Sequence, residues 1–367
     1  MRRTNMKAFR MLLLLLAIVF LAGCGKPGKP PVAKREVVDM AGRKMTVPAD
    51  IRRVYTGRPG SVVMYAVAPD LMVSRSLWNN QGSERFLSES YLKLPFAEGS
   101  AEEIVRLHPD VIISWFDLSP KSIDDAERLS AKTGIPVFMV DMDMTQYPKS
   151  FAALGSLLGR KDQTNRMTAF VEKYLVPVLE RAAQIAEKRR VRVYYAEGNR
   201  GLNTDPSGSF HSEVLNRVGG VNVAKVNALA GKGMSAVSME QILQWNPEVI
   251  IVWTGMGPSV TTSRAIAGDP LWARVPAVKS GHIYQIPCQP FGWFDRPPGT
   301  NRIMGAIWLS RLLYPDLYPA DLEQASREYF SIFYHYDLTD AELRAVLNPL
   351  GTTEEKQEKV TSKTLKP

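Results

Sequence analysis

The amino-acid sequence predicts an α/β protein with two Rossmann-like lobes, mainly parallel sheets, and a ligand cleft between the lobes. A single long helix is expected to join them. Apolar residues recur at spacings of three and four through residues 162–190, a pattern typical of one amphipathic helix. Strand-like runs alternate with helical patterns on both sides of this helix, which favours parallel sheets. One sequence unit also occurs once on each side, which indicates a duplication.

The duplicated unit occupies residues 100–115 and 238–253, and eight of its sixteen positions are identical. Each copy predicts a short helix, a proline turn and a buried strand that ends in tryptophan. Trp115 and Trp253 therefore hold equivalent positions at two strand ends. They are either ligand contacts or structural positions retained from the duplication.

The N-terminal segment, residues 1–23, predicts a lipoprotein signal peptide. Basic residues precede an apolar run that is too short to cross a bilayer comfortably. The run ends in Leu-Ala-Gly-Cys, which is similar to a bacterial lipobox. We expect cleavage before Cys24 and acylation of Cys24, which would anchor the chain to a membrane. An ordinary signal peptide with a chance cysteine is the alternative.

Charge and cysteine content exclude several classes of partner and bond. The formal net charge is +9, and loss of the leader leaves 42 basic against 37 acidic residues. No basic run is interleaved with aromatic residues, so we expect no nucleic-acid partner. Only Cys288 remains besides Cys24, which leaves no intramolecular disulfide. Cys288 is expected to pack in the fold, with a metal–thiolate role as the alternative.

The chain is predicted to divide into six segments. They are a signal peptide at 1–23, the lipidated cysteine with its tether at 24–35, an N-terminal α/β lobe at 36–159, the linker helix at 160–190, a C-terminal α/β lobe with closing helices at 191–350, and a disordered tail at 351–367.

Alternation and turn residues place the elements of the first lobe in order. They predict a hairpin at 36–47, a strand at 53–56, a helix capped by Ser61, a strand at 71–74, a helix at 123–133 capped by Ser122, and a strand at 136–140. The second lobe is expected to have strands at 192–196, 249–253 and 282–286. Its helices are expected to start near Ser212 and to cover 301–313, 322–333 and 341–347.

The loops that leave the carboxyl ends of parallel strands are where ligands bind in such folds. His211 lies where a glycine-rich loop meets a helix, and is either a ligand contact with a possible metal role, or an N-cap or packing residue. The loop after the last strand holds Phe291, Trp293, Asp295 and Arg296. Aromatic faces with an arginine suit a planar or chelated anionic ligand, unless the rings fold inward.

Corresponding loops of the first lobe add further candidate ligand contacts. These are Arg58, Trp78, Trp115, Phe116 and Tyr147. No catalytic residue is predicted, because the chain lacks a phosphate-binding loop, a dinucleotide fingerprint and a nucleophile elbow around Ser209. The four histidines are scattered, which argues against a structural zinc site.

Several segments in this order resemble the class III substrate-binding lipoproteins of ABC importers, of the iron–siderophore, haem and vitamin B12 type. They are Val37–Arg43, the two Pro-Asp/Glu-Val-Ile-Ile units, Glu213–Asn222 and Asp269–Tyr284. Two further segments, Gly201–Thr204 and Pro290–Pro298, are similar to the branch labelled iron(III)-complex binding. The resemblance covers essentially the whole mature chain.

The resemblance implies an extracytoplasmic, membrane-anchored monomer, in the periplasm or at the cell surface. It would capture an iron(III) complex or related metal chelate and deliver it to an ABC permease and its ATPase, without catalysis and without a permanent cofactor. It also implies limited cleft closure and an acidic permease contact on each lobe. Glu213 is the candidate in the second lobe, and Glu89 or Glu84 in the first.

Other functions remain open at this stage. A corrinoid or a nickel or cobalt chelate would suit the same fold, and the residues do not identify the chelate. A surface adhesin or assembly lipoprotein is the alternative from another class, and an extracytoplasmic enzyme is a further one.

Overall fold

The computed structural model describes residues 33–76, 82–227, 233–253, 261–319 and 321–348. The predicted signal peptide, Cys24, Trp78 and the tail at 351–367 lie outside the described residues. Within those ranges, no helix combines the length and the apolar composition needed to cross a membrane.

The first lobe is built on a parallel three-stranded sheet. Its elements are the hairpin strands β1 (Lys34–Val38) and β2 (Lys44–Pro48), β3 (Val54–Thr56), α1 (Arg58–Val67), α2 (Glu89–Leu92), α3 (Ala101–Arg106), β4 (Val111–Phe116), α4 (Pro120–Thr133), β5 (Val137–Asp141) and α5 (Tyr147–Leu158). The sheet order is β3-β4-β5, and all neighbours are parallel. The strand expected at 71–74 is instead a 3₁₀ turn followed by a single bridge from Met72 to Val54.

Two helices of this lobe begin earlier than the sequence pattern predicted. Helix α1 begins at Arg58, so Ser61 lies inside the helix, and α4 begins at Pro120, so Ser122 does too. Both helices have a proline in the first turn, where the missing N–H has no partner to lose and the fixed φ favours helix. The N-cap of α4 is Ser119, whose side chain accepts a hydrogen bond from the backbone N–H of Ser122.

The linker helix is α6 (Lys161–Phe170), a π-helical turn at Val171–Leu175, and α7 (Val176–Ala183). The π turn directly precedes Pro177 and accommodates its missing N–H, so that the helix continues past the proline. The helix ends at Ala183 rather than at Arg190. Ile185 extended the apolar pattern because it is buried, although it lies beyond the last helical turn.

The second lobe has a parallel four-stranded sheet. Its elements are β6 (Arg192–Ala196), β7 (Asn203–Thr204), α8 (Glu213–Arg217), β8 (Val221–Asn222), β9 (Ser235–Ala236), α9 (Met239–Trp245), β10 (Val249–Val252), α10 (Thr261–Gly268), α11 (Pro276–Lys279), β11 (Ile283–Gln285), α12 (Asn301–Leu313), α13 (Leu322–Tyr329) and α14 (Asp340–Leu347). The order is β11-β10-β6-β8, and β7 pairs with β9 in a separate antiparallel ribbon. The predicted fold class is confirmed.

The duplicated unit has the same local structure in both lobes. Helices α3 and α9 each begin with a capping box, at Ser100 and Ser238. The turns that follow place His108 and Asn246 in the left-handed region, with φ of 46° and 49°. Strands β4 and β10 follow in equivalent positions of the two sheets. Local capping and turn chemistry thus repeat together with the sequence.

The two lobes share one hydrophobic core, which continues through the linker helix. Behind the cleft, the buried guanidinium of Arg302 in α12 donates to the carbonyl of Met142 (2.5 Å) and to the Tyr147 hydroxyl (3.1 Å), and it is paired with Glu213. The Trp115 indole N–H donates to the carbonyl of Pro298 at 3.2 Å. The bonds from Arg302 to Met142 and Tyr147, and the bond from Trp115 to Pro298, cross from one lobe to the other, so large rotations of the lobes would break them.

Close packing of α12 against the loop before it gives a test of this architecture. A Cβ on Gly305 would lie 2.0 Å from the backbone oxygen of Trp293, whereas one on Gly268, at the end of α10, would meet nothing within 4 Å. We expect Gly305→Ala to lower the free energy of unfolding by roughly 1–3 kcal/mol, since a backbone segment must move. Gly268→Ala should leave it unchanged or raise it by up to about 1 kcal/mol. Chemical denaturation of both variants measures the difference, and equal stabilities would contradict the described packing.

Candidate functional site

A cleft of about 1080 Å³ lies between the lobes, where the carboxyl ends of both parallel sheets meet. Residues of both lobes line it. Those from the first lobe include Arg58, Phe116 and Lys121, and those from the second include His211, Asp295 and Arg296. This is the site that the fold class predicted.

Arg296 is the centre of a buried charge cluster at the floor of the cleft. Its guanidinium Nη2 donates to Glu197 Oε1 at 2.7 Å and to Asp205 Oδ2 at 2.8 Å. The guanidinium also lies 4.5 Å from the ring centroid of Trp253, a cation–π distance. Glu197 directly follows β6 and Asp205 follows β7, so strand ends position both carboxylates.

His211 connects this cluster to the cleft. Its Nδ1 is hydrogen-bonded to Asp295 Oδ2, and the other oxygen of Asp295 accepts a hydrogen bond from the Tyr195 hydroxyl at 3.1 Å. His211 lies within a short 3₁₀ turn, Phe210–Ser212, whose N-cap, Ser209, accepts from the His211 backbone N–H at 3.2 Å. The Nε2 atom has no hydrogen-bond partner among the described residues, and the ring borders the cleft.

The cluster contains more negative than positive charge. Glu197, Asp205 and Asp295 are each at most 1% exposed, and Arg296 lies among them. Burial raises the pKa of Glu197 to about 8; Arg296 opposes the shift, while Asp205 and Asp295 increase it. Its Oε2 has no hydrogen-bond partner among the described residues. Glu197 is therefore mostly protonated at neutral pH.

Asp205, His211 and Asp295 offer one potential metal ligand each, and these atoms lie within 4.8 Å of one another. Cys288 does not add a thiolate to them. Burial raises the pKa of its thiol to about 12, and its Sγ donates to the Ile286 carbonyl at 3.1 Å. The expected packing role of Cys288 fits this environment.

The walls of the cleft are aromatic and polar. Phe116, at the end of β4, is 44% exposed, and Phe210, beside His211, is 42% exposed. Arg58 in the first turn of α1 is exposed and forms no hydrogen bond or salt bridge with the described residues. Lys121 is paired with Asp125 at 2.7 Å. Two exposed rings and one unpaired guanidinium thus face the cleft.

The structure brings together six of the predicted ligand residues. Arg58, Phe116, His211, Phe291, Asp295 and Arg296 all line the cleft. The expectation for Trp293 is corrected, because its ring is fully buried in the core and its indole N–H donates to the Gln289 carbonyl at 3.2 Å. Trp115 and Tyr147 are also buried and hold the lobes together behind the cleft.

The two acids predicted to contact a permease differ in their surroundings. Glu213 is paired with the buried Arg302 and accepts from Arg217 at 3.3 Å, so its carboxylate belongs to the link between the lobes. Contact of Glu213 with a permease stays a prediction. Glu89 is exposed in α2, and its one described ion pair is with Lys93 at 2.5 Å.

Sequence reasoning did not select Glu197, Asp205 or Phe210. Its sequence position could have identified Glu197 as a candidate, because it directly follows the first strand of the lobe. Asp205 and Phe210 lie in the glycine-rich loop, where only the fold shows which side chains turn inward. Trp253, for which the sequence leaves both ligand contact and structural inheritance open, lines the cleft and packs against Arg296.

Comparisons with known proteins agree with this geometry. The family model described as periplasmic binding protein matches residues 64–290. The molybdate-binding protein MolA of Haemophilus influenzae is 26% identical over 338 residues, covering 83% of this chain and 92% of that protein. A vitamin B12-binding protein of Vibrio cholerae is 24% identical over 217 residues, covering 56% of this chain and 68% of that protein.

A solved structure is also similar over most of the chain. It is an ABC transporter solute-binding protein from Sulfurospirillum deleyianum, with 32% sequence identity and a TM-score of 0.78, covering 85% of this chain and 98% of that one. The similarity extends over both lobes and the linker helix.

The pKa of Glu197 gives a prediction for stability against pH. Because its pKa rises from 4.5 to about 8 on folding, the stabilisation from its bound proton is complete below pH 4.5 and is lost as the pH rises through 8. Glu197→Gln removes this loss. We expect the difference in unfolding free energy between the variant and the original chain to shift in favour of the variant by roughly 2–4 kcal/mol from pH 5 to pH 9.

Denaturant unfolding at both pH values measures the effect. Glu180→Gln is the control, since Glu180 is exposed and forms no described ion pair, and its relative stability should not change with pH. A parallel pH response of the two variants would show that Glu197 is ionised at neutral pH.

Proposed function

Because the chain belongs to the periplasmic binding protein family, in the class III group of ABC transporter solute-binding proteins, we propose that it captures a metal chelate in its cleft and delivers it to a permease and ATPase. The proposed ligand is an iron(III) complex such as a ferric siderophore or haem. A corrinoid or a nickel or cobalt chelate would use the same features.

The observation that carries this proposal is the orientation of His211. Metal-binding histidines commonly donate one ring N–H to a carboxylate, which fixes the tautomer and leaves the other nitrogen for the metal. Asp295 accepts from Nδ1, and Nε2 borders the cleft without a described partner. A chelate with one open coordination position can therefore be bound by His211 Nε2.

Charge favours a metal centre at this position over a bare anion. The floor beneath His211 has three buried carboxyl groups and one guanidinium. An anion placed at His211 would meet this excess of acidic groups, whereas a metal cation would be attracted by it.

Size and wall chemistry support a chelate rather than a bare ion. The cleft volume of about 1080 Å³ is at the upper end of small-molecule sites, which span about 300–1,000 Å³. Phe116 and Phe210 offer ring surface from the two lobes, and Arg58 offers an unpaired charge to an anionic periphery.

A molybdate-like oxyanion is the second candidate, and Arg58 is the observation that favours it. The unpaired guanidinium stands in the first turn of α1, where backbone N–H groups also attract anions. The similarity to a molybdate-binding protein supports testing it. Oxyanion binding would depend on Arg58 and would not require a metal bond to His211.

The proposed receptor acts outside the cytoplasm and is held at the membrane by acylated Cys24. Contact with the permease would involve Glu89, which is exposed on the first lobe. No step of this function requires bond cleavage, and the similar proteins are solute-binding proteins rather than enzymes.

The proposal predicts that His211 contributes directly to ligand binding. The chain lacking residues 1–24 is mixed with ferric siderophores, haem, cobalamin, nickel–histidine and molybdate, and native mass spectrometry identifies the one-to-one complex. For a chelate ligand, His211→Ala should weaken binding at least tenfold, equivalent to about 1.4 kcal/mol, because the metal loses its protein ligand. His282→Ala is the control, since His282 lies on the surface away from the cleft.

Optical spectroscopy separates metal ligation from packing. Loss of His211 should change the metal-centred absorption of the bound chelate, and His282→Ala should not. An unchanged spectrum and affinity in His211→Ala would remove the metal role of His211. Binding of molybdate alone would favour the oxyanion candidate instead.

The exposed rings provide an independent prediction. Phe116→Ala and Phe210→Ala should each weaken ligand binding several-fold through loss of apolar contact, with little change in unfolding free energy, since both rings are over 40% exposed. Leu271→Ala is the matched control, because Leu271 is 52% exposed outside the cleft. Isothermal titration with the ligand found above measures the three affinities, and equal values would exclude ring contact.

A further inference from the structure

A second cavity, of about 840 Å³, lies at the opposite end of the second lobe from the cleft. It is bordered by the amino ends of β6 and β8, by the last residues of α9, and by the turn that follows the linker helix. Because the strands are parallel, their carboxyl ends lead to the cleft and their amino ends to this cavity. The two cavities are therefore separate sites.

Basic side chains dominate this second cavity. Five of them line it, against two carboxylates: Lys188, Arg189, Arg190, Arg192 and Lys225 face Glu187 and Glu248. Like charges repel when they are held in one concavity, so basic residues clustered in this way have either a structural role or a binding role.

Two of the five basic residues have a structural role. The Arg192 guanidinium donates to the carbonyls of Trp245 and Asn246 at the end of α9, and the Arg190 guanidinium donates to the Ile185 carbonyl at 3.3 Å. These bonds satisfy carbonyls at the ends of α7 and α9.

The other three basic residues have no such role in the described structure. Lys188, Arg189 and Lys225 are exposed, and their side chains form no hydrogen bond or salt bridge with any described residue. The cavity therefore presents three uncompensated positive charges to solvent. Its floor adds the half-buried ring of Trp245, an amphipathic side chain suited to a membrane interface.

The position of this cavity relative to the tether indicates its occupant. The tether joins the fold just before β1, where Arg35 Nη2 donates to the Leu157 carbonyl at the end of α5, next to the start of the linker helix. The cavity begins just after the other end of that helix. Residues 161–183 span about 35 Å at 1.5 Å per residue. Tether and cavity thus lie at the two ends of one rigid element.

We propose that the second cavity binds anionic phospholipid headgroups of the membrane to which the chain is anchored, so that the linker helix lies along the bilayer surface. The proposal rests on the lipid anchor of the proposed function. The acyl chains would hold one end of the helix, and Lys188, Arg189 and Lys225 would hold the other. Basic residues near an anionic surface would add to the anchoring that the acyl chains supply.

Vesicle sedimentation tests the proposal without the acyl anchor. The chain beginning at residue 25 retains every described element, and it is mixed with vesicles of phosphatidylcholine alone or with about a third phosphatidylglycerol. We expect binding to the anionic vesicles only. Lys188→Glu, Arg189→Glu and Lys225→Glu combined should reduce partitioning at least tenfold, since each basic residue near an anionic surface contributes several-fold.

The control changes the same net charge elsewhere. Arg106, Arg264 and Arg344 are exposed, lie outside the linker helix and the hairpin, and lack described side-chain partners, and their combined change to Glu should have a much smaller effect. Equal losses in the two triple variants would show that only total charge matters and would overturn the proposal. Absence of binding to anionic vesicles would overturn it too.

Two further readouts separate the possible sources of failure. Titration with inorganic phosphate and with glycerol phosphate should show weak binding. Tight binding of either would identify a free anion, and not a lipid headgroup, as the ligand of the second cavity. Affinity for the cleft ligand should not change in the Lys188, Arg189 and Lys225 triple variant. Loss of vesicle binding with intact ligand binding therefore tests the membrane contact alone, whereas failure to bind any chelate bears on the proposed function.

Discussion

The charge balance around Arg296 is the constraint on which the site depends. Glu197, Asp205 and Asp295 are buried beside a single guanidinium, and burial of an unpaired charge is costly. The cluster reduces this cost by keeping a proton on Glu197, and a cation arriving at His211 would reduce it further. Because His211 bonds to Asp295 on one side and borders the cleft on the other, the electrostatics of the floor depend on what the cleft contains.

The segment between β11 and α12 serves both stability and recognition. Asp295 and Arg296 enter the floor of the cleft, while Trp293, in the same loop, fills the shared core. Shortly after them, Gly299 accepts a hydrogen bond from the Tyr147 hydroxyl of the first lobe, and Arg302 ties the lobes together. A ligand that moves the floor therefore acts on the joint between the lobes, and limited closure follows from the packing as well as from the linker helix.

Fold class and the duplicated unit could be predicted because both depend on local periodicity and caps. The end of the linker helix could not be predicted, because Ile185 fits the apolar pattern of the helix but is buried beyond its last turn. In the site, His211 and Arg296 were found from their position after strand ends. The sequence could not separate the buried Trp293 from the cleft-lining Phe291, because contact with another lobe decides which ring turns inward. The raised pKa of Glu197 comes first from its burial and then from Asp205 and Asp295, and only the folded structure shows this environment.

The cleft is asymmetric although the sequence unit is repeated in both lobes, because the two copies have different surroundings. Trp115 and Trp253 hold the same place in the repeated unit, yet the first is buried with its N–H bonded to Pro298, and the second packs against Arg296 at the cleft. One copy has become part of the joint between the lobes, and the next residue, Phe116, supplies that lobe's exposed ring. Both lobes contribute polar groups to the cleft: the second holds Asp295 and Arg296, and the first adds Arg58 and Lys121. The asymmetry therefore lies in burial, because the acidic groups of the second lobe are buried whereas Arg58 and Lys121 are exposed.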